Sequence, residues 1–217
     1  MTSRILFNNK NSYDDFGIVI TNTNSFDPTE QVYYDCVKEI EGNLNIQQFT
    51  KQITEWIYNA SSSYSKLYDD YHPSWFRYAT PVKNLTFKRY DSYVTFTLTF
   101  DCAPYMYSND GQLPISYTSG SPTIYNQGSC TSLPYIKLYG SGDITFSVND
   151  ISYDLYSVSS YIEIDCEKMI CYKGDTLCNE KMSALNGMPY FVPGKNVIKV
   201  LKGTVTRIDI VPRWRCQ

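Results

Sequence analysis

The sequence contains a single histidine, His72, and it stands directly before a proline in a turn-like stretch. A Ser/His/Asp or Cys/His nucleophile system would have to run through that one ring. Nothing beside it marks a nucleophile elbow or a papain-like cysteine. No C-x-x-C pair occurs among the seven cysteines, which lie at 36, 102, 130, 166, 171, 178 and 216. Structural zinc sites use closely spaced cysteine pairs, often with histidine. The one cluster, Cys166, Cys171 and Cys178, has no histidine near it and reads as small buried thiols. Phosphate loops, dinucleotide-binding glycine motifs and calcium loops are missing too, so no cofactor and no metal is expected. No apolar run approaches the ~18 residues of a membrane span. The polar opening MTSRILFNNKNSYDDFG lacks the apolar region of a signal peptide. The expectation is therefore a chain made in the cytoplasm with reduced thiols, in which the sequons at Asn59 and Asn84 are chance matches. Charge of one sign is not in excess either: 19 Lys+Arg stand against 22 Asp+Glu, for a net charge of −3. That balance argues against a general nucleic-acid-binding surface.

Tyrosine is what the chain has in plenty, with 21 residues, and aromatics reach 16%. Strands favour aromatics, and interfaces favour tyrosine because it joins an apolar body to a polar tip. Most of the chain carries strand patterning. Val94, Phe96, Leu98 and Phe100 alternate with Thr95, Thr97, Thr99 and Asp101, the signature of a half-buried antiparallel strand. Cys102-Ala103-Pro104 is expected to end it, because proline cannot donate to a ladder. Upstream, Ile5–Phe7, Phe16–Ile20 and Gln31–Ile40 read as strands. Ile46, Phe49, Ile53, Trp56 and Ile57 repeat at helical spacing and predict one amphipathic helix, with Asn45 as N-cap and Gln48 placed for a capping box.

Aromatic residues then crowd a short hairpin: Tyr64, Tyr68, Tyr71, Trp75, Phe76 and Tyr78. Two short strands cannot bury so many, which makes the hairpin a candidate contact surface; the alternative is that it lies over the helix. Residues 108–131 are rich in Ser, Gly, Pro and Asn and read as a linker, with one strand at Ile115–Tyr117. From 132 to 217 several short strands follow with turns between them: Tyr135–Tyr139, Ile144–Val148, Ile151–Tyr156, Tyr161–Asp165, Asn196–Val200 and Thr204–Val211. Such spacing predicts a β-sandwich. The chain thus divides into residues 1–107, a linker at 108–131, and residues 132–217. Glu163 and Asp165 share one strand face, within reach of the paired carboxylates of glycosidases, but alternation alone places polar residues on a solvated face. Two β-rich modules, many tyrosines and no site chemistry describe an assembly or binding protein rather than an enzyme.

Several stretches, in order, resemble the distal tail protein (Dit) family of long-tailed bacteriophages with Gram-positive hosts. They are ILFNNKNSYDDFGIVI, the Trp56 helix followed by KLYDDYHPSWFRYA, VTFTLTFDCAPYMY, PYIKLYGSGDITFSVND, YIEIDCEKMICYKG and PGKNVIKVLKGTVTRIDIVPRWR. The terminal Pro212-Arg213-Trp214-Arg215 is the most specific piece. The segment from Thr21 to Gln31 is shorter than the family pattern, and no carbohydrate-binding insertion is present. The resemblance implies a mainly β fold: an N-terminal β-sandwich with one α-helix and a hairpin arm, then a C-terminal galectin-like β-sandwich. It implies a homohexameric ring at the distal end of the virion tail, assembled in the host cytoplasm, with a central channel that passes DNA without holding it. Its partners would be the major tail tube protein, the tail-associated hub protein and, in some relatives, receptor-binding proteins. A closing ring needs two different surfaces on each copy, and the aromatic hairpin is the candidate for one. Pro212 to Arg215 are expected to serve a structural role. A second reading is a glycan-binding module for host-wall attachment.

Overall fold

The computed structural model describes residues 3–24, 31–40, 45–58, 64–82, 85–118 and 121–217. The expected stops at Gly42, Asn59 and Ser61 to Ser63, the sequon positions Asn59 and Asn84, and residues 25–30 of the shortened segment lie outside that set. The chain forms two compact units, one running to Met106 and including Gln217, the other spanning Tyr107–Cys216.

The first unit contains β1 (Ile5–Phe7), β2 (Lys10–Asn11), β3 (Val19–Asn24), β4 (Gln31–Glu39), α1 (Ile46–Tyr58), β5 (Ser65–Asp69), β6 (Trp75–Pro81), β7 (Lys88–Arg89) and β8 (Tyr93–Ser108), the last two residues of β8 belonging to the second unit. The strands hydrogen-bond in the order β2-β1-β5-β6-β8-β4-β3, with β7 also on β8. An isolated bridge joins Ser3 to Ile20. Alternation is what builds this sheet. Val32, Tyr34 and Cys36 of β4 and Val94, Phe96, Leu98 and Phe100 of β8 all point inward and are buried. The helix covers them with Phe49, Ile53, Trp56 and Ile57, while Ile46 is only half-buried. Asn45 caps α1, its Oδ1 accepting the Gln48 N–H at 3.1 Å.

Trp56 fixes the helix to the sheet. Its indole N–H donates to the Phe7 carbonyl at 2.8 Å, and its ring stacks on Phe16 with centroids 4.7 Å apart. Asn8 returns a bond to the Trp56 carbonyl at 3.1 Å. The expected strand end at Cys102-Ala103-Pro104 does not occur, since β8 continues to Ser108. Among the described residues the β4 ladder runs as far as the Gln31–Asp101 pair, three residues before Pro104. The alternation also predicts a strand over Val82–Lys88; residues 83 and 84 lie outside the described set, and the described remainder carries β7 at Lys88–Arg89.

The second unit contains β9 (Ile115–Tyr117), β10 (Thr123–Asn126), β11 (Tyr135–Val148), β12 (Ile151–Asp165), β13 (Ile170–Lys173), β14 (Thr176–Leu177) and β15 (Gly194–Val211). The order is β10-β15-β11-β12-β13-β14, with β9 also on β15. Residues 108–131, expected as a linker with one strand, supply two strands, both paired with β15. Three pairs of short strands expected from the sequence are three long ones. The turn expected at 140–143 is a bulge in which Gly142 has φ +77°, and the register shifts there while the ladder continues. Gly203, expected in a tight turn, holds φ +91° inside β15, and a Cβ there would lie 2.5 Å from the Asp143 carbonyl oxygen. The core of this unit gathers Ile136, Leu138, Phe146, Tyr153, Leu155, Ile162, Ile164, Phe191 and Trp214. With two antiparallel sheets and one helix, the chain is mainly β, as its sequence patterning and the β-sandwich expectation require.

Trp56→Ala removes a buried ring, its stack on Phe16 and its bond to Phe7. Loss of a buried aromatic costs about 3–5 kcal/mol, so urea unfolding of the first unit should shift by that amount. A shift below about 1 kcal/mol, the size of an ordinary surface effect, would contradict the pinning role of Trp56.

Candidate functional site

The aromatic hairpin is built by β5 and β6, paired through Ser65–Ala79, Lys66–Tyr78 and Leu67–Arg77. Leu67 and Ala79 face the core. On the other face Tyr68, Phe76 and Tyr78 form a cluster, with ring centroids 5.4 Å apart for Tyr68–Phe76 and 5.3 Å for Phe76–Tyr78. The Lys66 ammonium sits 4.4 Å from the Phe76 centroid. Phe76 is only 1% exposed, so it is packing for its neighbours and not itself a free contact residue, contrary to the expectation for this position. Tyr64 and Tyr71 are 53% and 51% exposed, and Tyr68, Trp75 and Tyr78 are half-buried.

The turn between the strands is organised by Asp69, which sequence reading passed over. Its Oδ1 accepts the N–H groups of Tyr71 and His72 at 3.1 and 2.9 Å, and His72 Nδ1 lies 3.1 Å from the same oxygen. A carboxylate only accepts, so Nδ1 carries the proton. Oδ2 accepts the hydroxyl of buried Tyr34 at 3.1 Å. Burial, and then the Asp69 charge, push the Tyr34 hydroxyl well above its ordinary pKa. The signal was present as an Asp followed three residues later by His in a turn. Here His72 braces the turn, and among the described residues no Ser, Thr or Cys side chain is hydrogen-bonded to it.

Glu163 and Asp165 lie together on β12, but not on a solvated face. They are 8% and 2% exposed. Their own partners cover them. Glu163 accepts the Tyr135 hydroxyl at 2.5 Å, the Gly174 N–H at 3.0 Å and the Lys137 ammonium at 3.4 Å. Asp165 takes a two-pronged contact from Arg213, at 2.6 and 3.1 Å. Burial alone would raise both carboxyl pKa values, but these bonds outweigh it and hold both below the ordinary value. A glycosidase acid needs the opposite shift.

The C-terminal motif locks the second unit. Arg213 adopts a left-handed φ of +54°, which turns its guanidinium toward Asp165 and, at 3.3 Å, toward Glu167. Its N–H donates to the Gly111 carbonyl at 2.7 Å. A Cβ at position 111 would meet the Trp214 nitrogen at 2.5 Å, so glycine is required there. Pro212 is buried, Trp214 packs on Phe191 at 5.7 Å, and Arg215 Nε donates to the Thr131 carbonyl at 2.5 Å.

A further surface was missed. On β11 and β12 the half-exposed rings of Tyr139 and Tyr161 lie opposite each other, 6.0 Å apart. Lys137 stands 4.2 Å over Tyr161, and Arg207 stands 5.3 Å over Tyr139. The alternation Tyr135, Lys137, Tyr139 carried that signal. Elsewhere a groove of about 640 Å³ is lined by Asn8, Asn9, Lys10, Phe16, Glu55 and Trp56. No group of three or more His, Cys, Asp or Glu among the described residues is arranged to hold a metal ion.

Both depressed carboxyls set the sign of the acid response. The unfolded chain takes up protons near pH 4, before the folded one does. Their contribution is therefore complete above about pH 4 and is lost as pH falls through the lower folded values. Arg213→Ala should lower the stability of the second unit at pH 7 by about 3 kcal/mol and shrink its acid dependence. Urea titrations at pH 7 and pH 3 with an unchanged difference would contradict the lock.

No protein-family model and no curated protein matches the sequence. Among solved structures, the chain is similar to the SPP1 Dit (gp 19.1) protein, described as a paradigm of the hub adsorption apparatus in phages that infect Gram-positive hosts. The TM-score is 0.77 at 10% sequence identity, over 97% of this chain and 98% of that one. At that identity the likeness is one of fold, and it extends across nearly the whole chain.

Proposed function

We propose that the chain is a structural hub protein of a phage tail tip, without enzymatic activity. Six copies would form a ring that joins the tail tube to the tail-associated hub and the adsorption apparatus, with a central channel for DNA. Residues 1–107 would form the ring, and a galectin-like outer domain would face other tail proteins, including receptor-binding proteins. Assembly would take place in the host cytoplasm and the product would sit at the distal end of the virion tail. The observation that carries this reading is the fold likeness to a phage hub protein over 97% of the chain.

The physical features support it. Permanent ring contacts bury roughly 2,000 Å² or more and are rich in aromatics. Tyr64 and Tyr71, both open to solvent, lie at the two ends of β5 in a hairpin whose turn is held by Asp69, and would supply aromatic contacts there. A DNA channel should not grip phosphates, and a net charge of −3 supplies no excess of cations to do so. The paired carboxyls of β12 are held ionised by Tyr135, Lys137 and Arg213, which suits packing and not acid catalysis.

A second reading, a glycan-binding module for the host wall, is favoured by one feature, the half-exposed Tyr139–Tyr161 pair with its flanking Lys137 and Arg207. Retention of the chain on purified wall glycan, lost in Tyr139→Ala, would support it over the hub.

Two outcomes are expected for the hub. Tyr64→Ser with Tyr71→Ser should leave the urea transition of the first unit in place while shifting sedimentation toward single chains. Trp75→Ala should weaken assembly in the same sense. Full-sized assemblies from both variants would remove the hairpin from the ring contact. Glu163→Gln should change no wall-degrading activity, and a measurable loss would overturn the non-enzymatic reading.

A further inference from the structure

The hairpin β13–β14 turns through Gly174 and Asp175, with Gly174 at φ +59°. Its pairs are Tyr172–Leu177 and Lys173–Thr176. One step further the register sets Cys171 directly opposite Cys178. The Cys178 N–H donates to the Cys171 carbonyl at 2.9 Å, while the Cys171 N–H donates to Asn179 Oδ1 at 2.6 Å, so the two cysteines share one backbone bond just beyond the end of the ladder. Directly opposed residues project to the same face, and both thiols lie on the buried side, where Cys171 Sγ is 3.3 Å from Met182 Sδ. Residues bonded across strands in this way have Cα atoms about 5.5 Å apart, inside the roughly 4.4–6.8 Å range that disulfides span, and their Cβ atoms, about 4.5–5.5 Å apart, must close to about 3.5–4.5 Å as the bond forms. Cys166 has no such position. It follows the Asp165–Ile170 pair and so stands opposite Met169, out of step with Cys171.

We propose that Cys171 and Cys178 form an intramolecular disulfide when the chain meets a low-molecular-weight disulfide oxidant, stapling the edge hairpin of the second unit. The chemistry balances by two exchanges. The Cys178 thiolate attacks the oxidant, releases one small thiolate and leaves a mixed disulfide. The Cys171 thiolate then attacks the Cys178 sulfur, forms the internal bond and releases the second. Two protein thiols lose their hydrogens and one oxidant disulfide becomes two thiols. Burial pushes the Cys171 thiol up to about 12 and raises Cys178 as well, so the first exchange waits on opening of the hairpin. That opening is local, because β14 has two residues and sits at the sheet edge. In a reducing cytoplasm the thiols stay free, and outside it they pair. The proposal does not depend on ring assembly or on any reading of function.

The test treats the native full-length chain with oxidised glutathione, blocks remaining thiols under denaturing conditions and digests with trypsin. The free-thiol titre should fall by two from seven, and residues 169–173 should be found joined to residues 174–181. The oxidised chain should also melt at higher temperature than the reduced one. Cys178→Ala should abolish the linked peptides, and Cys166→Ala should retain them. Seven free thiols after oxidation, or Cys171 joined to Cys166, would overturn the proposal, and both are read on the wild-type chain.

Discussion

An antiparallel sheet that buries one face must leave its other face and its edges to something else. Everything distinctive in this chain follows from how that constraint is met. In the first unit the inward residues of β4 and β8 need an apolar cover, and α1 supplies it. The helix is held in register by Trp56, whose ring fills the space and whose N–H satisfies the Phe7 carbonyl. The other face of the β5–β6 hairpin is packed by aromatic rings. It carries Tyr68, Phe76 and Tyr78 packed on one another, with Tyr64 and Tyr71 open to solvent.

The second unit meets the same constraint with charge. Glu163 and Asp165 point away from the apolar interior formed by Ile162 and Ile164, yet they are buried. A buried carboxylate is tolerated only when its oxygens are bonded. Tyr135, Lys137 and the Gly174 N–H serve one, and Arg213 serves the other. Bringing Arg213 to Asp165 takes a left-handed residue at the end of β15, which in turn seats Trp214 against Phe191 and Gly111. One ion pair thereby determines the conformation of the whole C-terminal motif. The same bonds keep both carboxyls ionised.

The sequence made α1 and the alternation of β8 legible because periodicity records burial directly. It also disclosed the mainly β class and, through ordered motifs, a resemblance whose fold the solved Dit structure shares. Other features were opaque for physical reasons. Gly140, Gly142 and Gly203 look like turns in one dimension, but glycine also permits a bulge that bends a strand while its ladder continues, so β11 and β15 read as fragments, and β12 does so at Ser157 and Ser160, which hold left-handed φ of +48° and +66°. Pro104 looks like a stop because it cannot donate to a ladder, yet β8 runs through it to Ser108. Phe76 looked like part of an exposed patch, since composition cannot say which aromatic in a cluster lies underneath. Glu163 and Asp165 looked solvated because their covering residues come from positions 28, 26 and 48 apart in sequence.

The hub reading turns on whether one chain closes on five others. Purified wild-type protein at high concentration, imaged by electron microscopy and weighed by mass photometry, tests this most directly. The hub predicts sixfold rings with an open centre and a mass near six times 25.0 kDa. Single chains at every concentration, retained on wall glycan, would contradict it.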